Sequence, residues 1–251
     1  MQQRKKRAVL AAVLLSAAAV AVPLAPGSTA YAGTSAPTGN TGAFQQRFLE
    51  NFSTTAAANG PFAKTYAKSW QPYPDGAGGR YSASSQVSSH DGLMDVVLDG
   101  KHGTAGTFGT PTDAWTHVGG KFSVRAKATG GTGNGAAFML WPTSGSWSDG
   151  EMDFPEGNFE STPMAFHHSM TPGHEAESTM ASTGVSWRSW HVYSVEWIPG
   201  KSVTYTVDDK VVQKVTKDVP TTAHRFMFQV GNWGAKGHLF IDWVSTYDHV
   251  G

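Results

Sequence analysis

The sequence predicts an all-β fold, two antiparallel sheets packed as a sandwich, and three observations carry that prediction. Short runs rich in Val, Tyr, Trp and Thr recur between Gly, Pro and Asp turn residues. Long helical periodicity is missing, apart from a weak helical stretch at residues 41–57. The 251 residues contain no cysteine, which excludes disulfides, zinc–thiolate sites and thiol catalysis and leaves stability to one large core. Many short strands with frequent turns fit an antiparallel sandwich or barrel, and a jelly roll fits best.

Before the fold comes an address. Arg4, Lys5, Lys6 and Arg7 precede an apolar run at residues 8–22, and Ala30-Tyr31-Ala32 has the form of a signal-peptidase site. The run is shorter than the about 20 apolar residues that a spanning helix needs. Residues 1–32 are therefore expected to be a signal peptide, the mature chain to be secreted, and no membrane to be its partner after cleavage. Cleavage would leave 219 residues with 15 basic and 19 acidic side chains, a net charge of −4. That balance gives no reason to expect nucleic acid as a partner. Residues 33–42 read as a disordered lead-in, rich in Gly, Ser, Thr, Pro and Asn. Residues 43–251 read as a single domain, expected to be a monomer.

Within that domain, residues 86–98 hold Asp91-Gly92 between two strand-like runs, a strong hairpin signal. Residues 121–128 alternate, with Phe122, Val124, Ala126 and Ala128 on one face. Residues 193–212 are strand-like and broken by Pro199-Gly200 and Asp208-Asp209. Runs at 225–230 and 238–247 complete the set.

The chemistry concentrates in Gly150-Glu151-Met152-Asp153-Phe154-Pro155-Glu156-Gly157. On a strand Glu151 and Asp153 leave the same face, whereas Glu156 has the opposite parity. A β-bulge would restore it, and Pro155 suits a bulge because no ladder donor is needed there. Three like charges in a row should weaken the fold unless they serve chemistry. Glycoside hydrolysis uses such a set, one carboxylate ionised to attack and one protonated to donate. The spacing alone leaves a solvated acidic edge equally open, and the flanking residues decide between them.

Ala137-Phe138-Met139-Leu140-Trp141-Pro142, Trp190-His191-Val192-Tyr193-Ser194-Val195-Glu196-Trp197, Thr206-Val207-Asp208-Asp209-Lys210 and Asp242-Trp243-Val244-Ser245-Thr246-Tyr247 flank the acids in one order. Together with the E-x-D-x-x-E strand they resemble glycoside hydrolase family 16, in its laminarinase-like branch. The resemblance implies a concanavalin-like β-jelly roll with a concave substrate cleft. It implies Glu151 as nucleophile, Asp153 as assisting carboxylate and Glu156 as general acid/base. No cofactor is implied beyond a structural calcium ion on the convex side, by analogy alone. Two departures stand out: Asp209 replaces the usual hairpin glycine, and Met139 stands where the family often has tryptophan, with Trp141 on the same face.

Nine tryptophans suit a sugar cleft, where aromatic faces stack on pyranose rings. Trp141, Trp147 and Trp233 are the expected cleft members, against a core reading for Trp197 and Trp243. Of His167 and His168 only one can face the cleft, and the resemblance points to His167 as the one beside the acids. Gln229 likewise resembles a cleft glutamine. No metal site is expected: His174-Glu175 begins an H-E-x-x-H pattern, but Ser178 stands where the second histidine belongs and Pro172-Gly173 makes a turn. No G-x-S-x-G elbow occurs. The expected function is a secreted retaining endo-β-glycanase with a polysaccharide partner, first of all β-1,3- or mixed-linkage β-glucan. The rivals are a non-catalytic carbohydrate-binding jelly roll and a hydrolase or transglycosylase of the same mechanism acting on another polymer, such as a galactan.

Overall fold

The computed structural model describes residues 35–251, so the expected signal peptide lies outside the described residues. Fifteen strands dominate it: β1 (Phe44–Glu50), β2 (Trp70–Pro72), β3 (Val87–His90), β4 (Leu93–Leu98), β5 (Thr104–Phe108), β6 (Gly120–Gly130), β7 (Gly135–Pro142), β8 (Met152–Asn158), β9 (Met164–His168), β10 (Ser178–Ser182), β11 (His191–Ile198), β12 (Ser202–Val207), β13 (Lys210–Val215), β14 (His224–Val230) and β15 (Gly237–His249). Helices are confined to short turns such as Pro61–Thr65 and Ala83–Gln86.

Two antiparallel sheets pack face to face. One has the order β13-β12-β11-β6-β15-β4-β3, with β1 also on β15, and the other runs β10-β9-β8-β7-β14-β5-β2. The alternation read at residues 121–128 sets the inner face of β6, where Phe122, Val124, Ala126 and Ala128 are all fully buried. Phe138, Leu140, Met152, Phe154, Phe226 and Phe228 meet them from the other sheet. Asp91 and Gly92 take left-handed φ values of 54° and 72°, the twist that closes a two-residue hairpin. The weak helical stretch at 41–57 is not helical. Phe44, Gln46 and Phe48 alternate with exposed Gln45 and Arg47, and the segment pairs with β15 from Phe44↔His249 to Glu50↔Val244. Period-two burial prevails there because β15 offers a row of backbone partners that a helix would leave unpaired. Before it, residues 35–42 carry only an isolated bridge, Thr41↔Phe44. Gln46 nevertheless holds that approach, bonding the Gly39 amide and the Pro37 carbonyl at 2.8 Å each.

Candidate active site

β8 carries a bulge at the expected place. On β7, Met139 opposes Asp153 and Ala137 opposes Glu156, so Phe138 alone faces both Phe154 and Pro155. On β9, Phe166 opposes Asp153 and Met164 opposes Glu156, so Ala165 faces the same two residues. Phe154 drops into the core against Tyr193 and Tyr205. The extra residue returns Glu156 to the face of Asp153 and Glu151, turned away from the core. Gly150 starts the segment at a left-handed φ of 105°, and a Cβ there would lie 2.5 Å from Pro220. The buried His224 ring lies 2.9 Å from the Gly150 carbonyl, which helps fix the entry to β8.

Asp153 is the hub of the row. It is 2% exposed and interacts with both flanking acids, Glu151 and Glu156. Burial is the main cause that raises all three acids. It pushes Glu151 up to about 9, with the neighbouring carboxylates adding to the rise. Asp153 and Glu156 are raised as well, Asp153 further by the charge of Glu156. Three acids this close titrate as a unit and hold protons that isolated carboxylates would have lost. The set can therefore present an ionised and a protonated carboxyl side by side, as acid-assisted displacement requires.

The histidine beside the acids is His168, and the expectation for His167 is corrected. His167 pairs with Met152, so it shares the core face and is 2% exposed. Its Nε2 donates to the Lys217 and Asp218 carbonyls, and its Nδ1 accepts from the Tyr205 hydroxyl at 2.8 Å. His168, one residue on, brings Nε2 to 3.1 Å from Asp153 Oδ2. Its Nδ1 donates to the Glu175 carbonyl at 2.8 Å, which fixes the ring's orientation. The His168 imidazole opposes the upward shift of both Glu151 and Glu156.

The other expected cleft residues gather around this row. Trp147 packs 5.6 Å from the His168 ring. Trp141 lies two residues beyond Met139 on β7, so the two share the cleft face. Gln229 opposes Ala137, next to Glu156, and accepts the Tyr81 hydroxyl at 2.7 Å. Trp233 is 51% exposed on the loop after β14, beneath the Arg80 guanidinium at 4.4 Å. Trp197 is buried in the core, whereas Trp243, also buried, shares the outer face of its sheet with Arg125 by register. The sequence reading missed Tyr73, Tyr81, Trp115 and Arg225, which also face the cleft. Tyr73 and Trp115 flank Arg225, whose position opposite Trp141 places it there. Alternation along residues 225–230 would have found Arg225, because Gln229 and Arg225 are four apart on one strand.

Among the described residues, Glu151, Asp153 and His168 are the one group whose ligand atoms could share a cation, all within 4.8 Å of one another. They lie in the cleft.

Residues 80–248 match the family model described as glycosyl hydrolases family 16. A search of curated proteins returns no match. Solved structures with the same fold include the laminarinase from Rhodothermus marinus, 17% identical, with 83% of this chain and 98% of that one covered and a TM-score of 0.64. LamAcat from Zobellia galactanivorans is also 17% identical, covering 81% and 97% with a TM-score of 0.63. The laminarinase catalytic domain from Thermotoga petrophila is 18% identical, covering 83% and 99% with a TM-score of 0.63. At such identity these neighbours establish the jelly-roll fold, and the family match, which spans most of the chain, establishes the rest: the chain belongs to glycosyl hydrolases family 16 and is a β-glycan-cleaving glycoside hydrolase.

Proposed function

We propose that the chain is a secreted, retaining endo-β-glycanase that cuts β-1,3- or mixed-linkage β-glucan. The observation that carries the reading is the bulge, which sets two outer acids on either side of the buried Asp153 carboxyl. Retaining enzymes hold their two acids about 5–5.5 Å apart, a separation that suits two carboxyls flanking a third on one face. In this reading the protons of the coupled row settle on Asp153 and Glu156, although burial raises Glu151 as well, so that ionised Glu151 attacks the anomeric carbon while Glu156 gives its proton to the departing glycosidic oxygen. Glu156 then takes a proton from water, which releases the sugar from Glu151. Asp153 passes no atom to substrate. It holds both outer acids in register and biases where the protons reside, while His168 supplies a counter-dipole at its second oxygen. Trp141 and Trp147 offer ring faces to the sugars beside the cut.

The substrate and the export step rest on separate support. Structural neighbours described as laminarinases and as a non-specific endo-β-1,3(4)-glucanase favour a glucan. The basic cluster, apolar run and Ala30-Tyr31-Ala32 favour export with a mature start at Gly33 and a single domain from 43 to 251. A reducing-sugar screen over β-1,3-, mixed-linkage and β-1,4-glucans, agarose and carrageenan tests the substrate. Release from the two glucans first, with the β-anomer formed first by NMR, is the expected result. First release from agarose would move the enzyme to galactans. N-terminal sequencing of the exported protein tests the cleavage site.

A further inference from the structure

The arginines of the described residues divide into two groups. Arg47 faces Asp248 at 3.1 Å and Asp113 at 3.6 Å, Arg125 faces Asp242, and Arg188 faces Glu160 at 3.3 Å. Arg80 and Arg225 have no carboxylate partner among the described residues, and both border the cleft. Each lies on aromatic rings instead. The Arg225 guanidinium sits 5.5 Å from the Tyr73 ring centre and 4.9 Å from that of Trp115. Arg80 covers Trp233 at 4.4 Å. Arg225 opposes Trp141 on the face of the acids. Arg80 precedes Tyr81, whose hydroxyl reaches Gln229 on that face.

Ring faces hold a guanidinium in place without neutralising it. A half-buried cation with no acid nearby keeps its desolvation cost and recovers little of it. Among the described residues Arg225 makes one side-chain hydrogen bond, Nη2 to the Tyr73 hydroxyl at 2.7 Å, and its buried Nε has no hydrogen-bond partner. Neutral sugar hydroxyls can be bound by Asn or Gln at lower cost, as Gln229 is placed to do. A planar, permanently charged fork matches a carboxylate or sulfate group instead. Position agrees with that assignment. β14 is two strands from β8, about 10 Å across the sheet. Arg225 would thus meet a sugar removed from the bond being cut, where a substituent does not obstruct the reaction.

We propose that Arg225 and Arg80 bind anionic substituents, carboxylate or sulfate ester, on the polysaccharide, so that the preferred polymer is an acidic β-glycan. The inference rests on the endo-β-glycanase reading and names the class of chain within it.

The test compares neutral, carboxymethylated and sulfated forms of one soluble β-1,3-glucan. Binding is measured to Glu156→Gln at low and high salt, and hydrolysis to the active enzyme. Acidic chains should bind about tenfold more tightly than the neutral one at low salt, a difference of about 1.4 kcal/mol. The advantage should shrink as salt screens the charges. Whichever acidic polymer binds more tightly identifies the group recognised. Arg225→Gln and Arg80→Gln should each cut the preference about three- to tenfold, with the loss in KM rather than kcat, and Arg225→Lys should keep part of it. Should Arg225→Gln fail to fold, Arg80→Gln and the salt series decide. Equal affinity for neutral and acidic chains, or a preference that survives both substitutions, overturns the proposal. The absence of hydrolysis of all three polymers would instead overturn the glycanase reading, because the binding measurement needs no turnover.

Discussion

Across the outer face of the eight-stranded sheet, Lys121 meets Glu196 at 3.0 Å, Arg125 meets Asp242, and Asp95 is held between His90 at 3.1 Å and His238 at 2.8 Å. On the cleft face of the other sheet, Glu151, Asp153 and Glu156 crowd together and two arginines stand without acids. Both faces are built on the same pleat, and each strand buries one side in a common core. The difference lies in what each outer face is for. Where charge serves solubility and register, opposite signs pair; the exposed pairs contribute little, and the buried Asp95 more. Where like charges are forced together or cations left unpaired, stability is lost and the arrangement points to chemistry.

Removing the outer acids breaks the contrast most directly. Glu151→Ala should lower kcat by at least about 10³-fold while the fold persists, because the side chain fills no core space. Glu156→Ala should suffer most on substrates with poor leaving groups. Azide should rescue both, giving a sugar azide of inverted configuration from Glu151→Ala and a retained one from Glu156→Ala. Identical azide products would reverse or dissolve the assigned roles.

The pH dependence of stability sharpens the contrast further. Glu151 has a folded value of about 9 against an ordinary 4.5. The folded chain therefore holds more protons than the unfolded chain between those values, and stability falls as pH rises through that window, by up to about 1.4 kcal/mol per unit for one proton. Glu151→Gln should flatten this slope in thermal melts between pH 5 and 8. His168→Ala should move the acidic limb of the activity profile upward, because the imidazole that opposes the acids' rise is then gone. An unmoved limb would leave His168 a packing residue.

On the outer face the slope has the same sign but the opposite cause, because there the charged form of the group is the one stabilised. Asp91 and Asp95 raise His90, so this contribution is fully present below the ordinary value of 6.5 and is lost as pH rises through the folded value. Asp95→Asn should cost about 1–3 kcal/mol, because one of the two buried oxygens that accept from the His90 and His238 rings becomes a donor. It should also reduce that pH dependence, the part that remains being held by Asp91. A melting curve that does not change with Asp95→Asn would mean that the trio is ornamental.

Legibility followed the same division. The core face was readable at residues 121–128 because alternation there is enforced by burial, and the bulge was readable because Pro155 cannot donate to a ladder. His167 and His168 were confused because adjacent residues differ only in parity, and parity depends on where pairing with β8 begins. The β1 strand was obscured because its partner, β15, lies about 200 residues away in sequence, beyond any local pattern. Tyr73, Tyr81 and Trp115 come from loops and short edges whose positions follow from the assembled sheet.

The smallest expected effect lies at the far edge of the paired sheet, in the hairpin between β12 and β13. Asp208 and Asp209 hold φ values of 48° and 63°, the left-handed pair that a two-residue turn of this hand requires. The two aspartates are not equivalent. Asp208 accepts from the Val192 amide at 2.9 Å and lies 2.7 Å from His191 Nδ1, so its side chain ties the turn to β11. Asp209 makes no side-chain hydrogen bond among the described residues, and a Cβ at its φ is strained where glycine is not. Asp209→Gly therefore relieves the folded state, while the extra freedom it gives the unfolded chain offsets part of the gain. The balance should be a stabilisation of about 0.5 kcal/mol, about one to two degrees in the melting midpoint for a domain of this size. Asp208→Gly should destabilise instead, by about 1 kcal/mol, through the lost bonds to β11. Denaturant titration of the two variants side by side measures the difference, and the same sign for both would show that backbone strain, rather than the Asp208 tether, governs the turn.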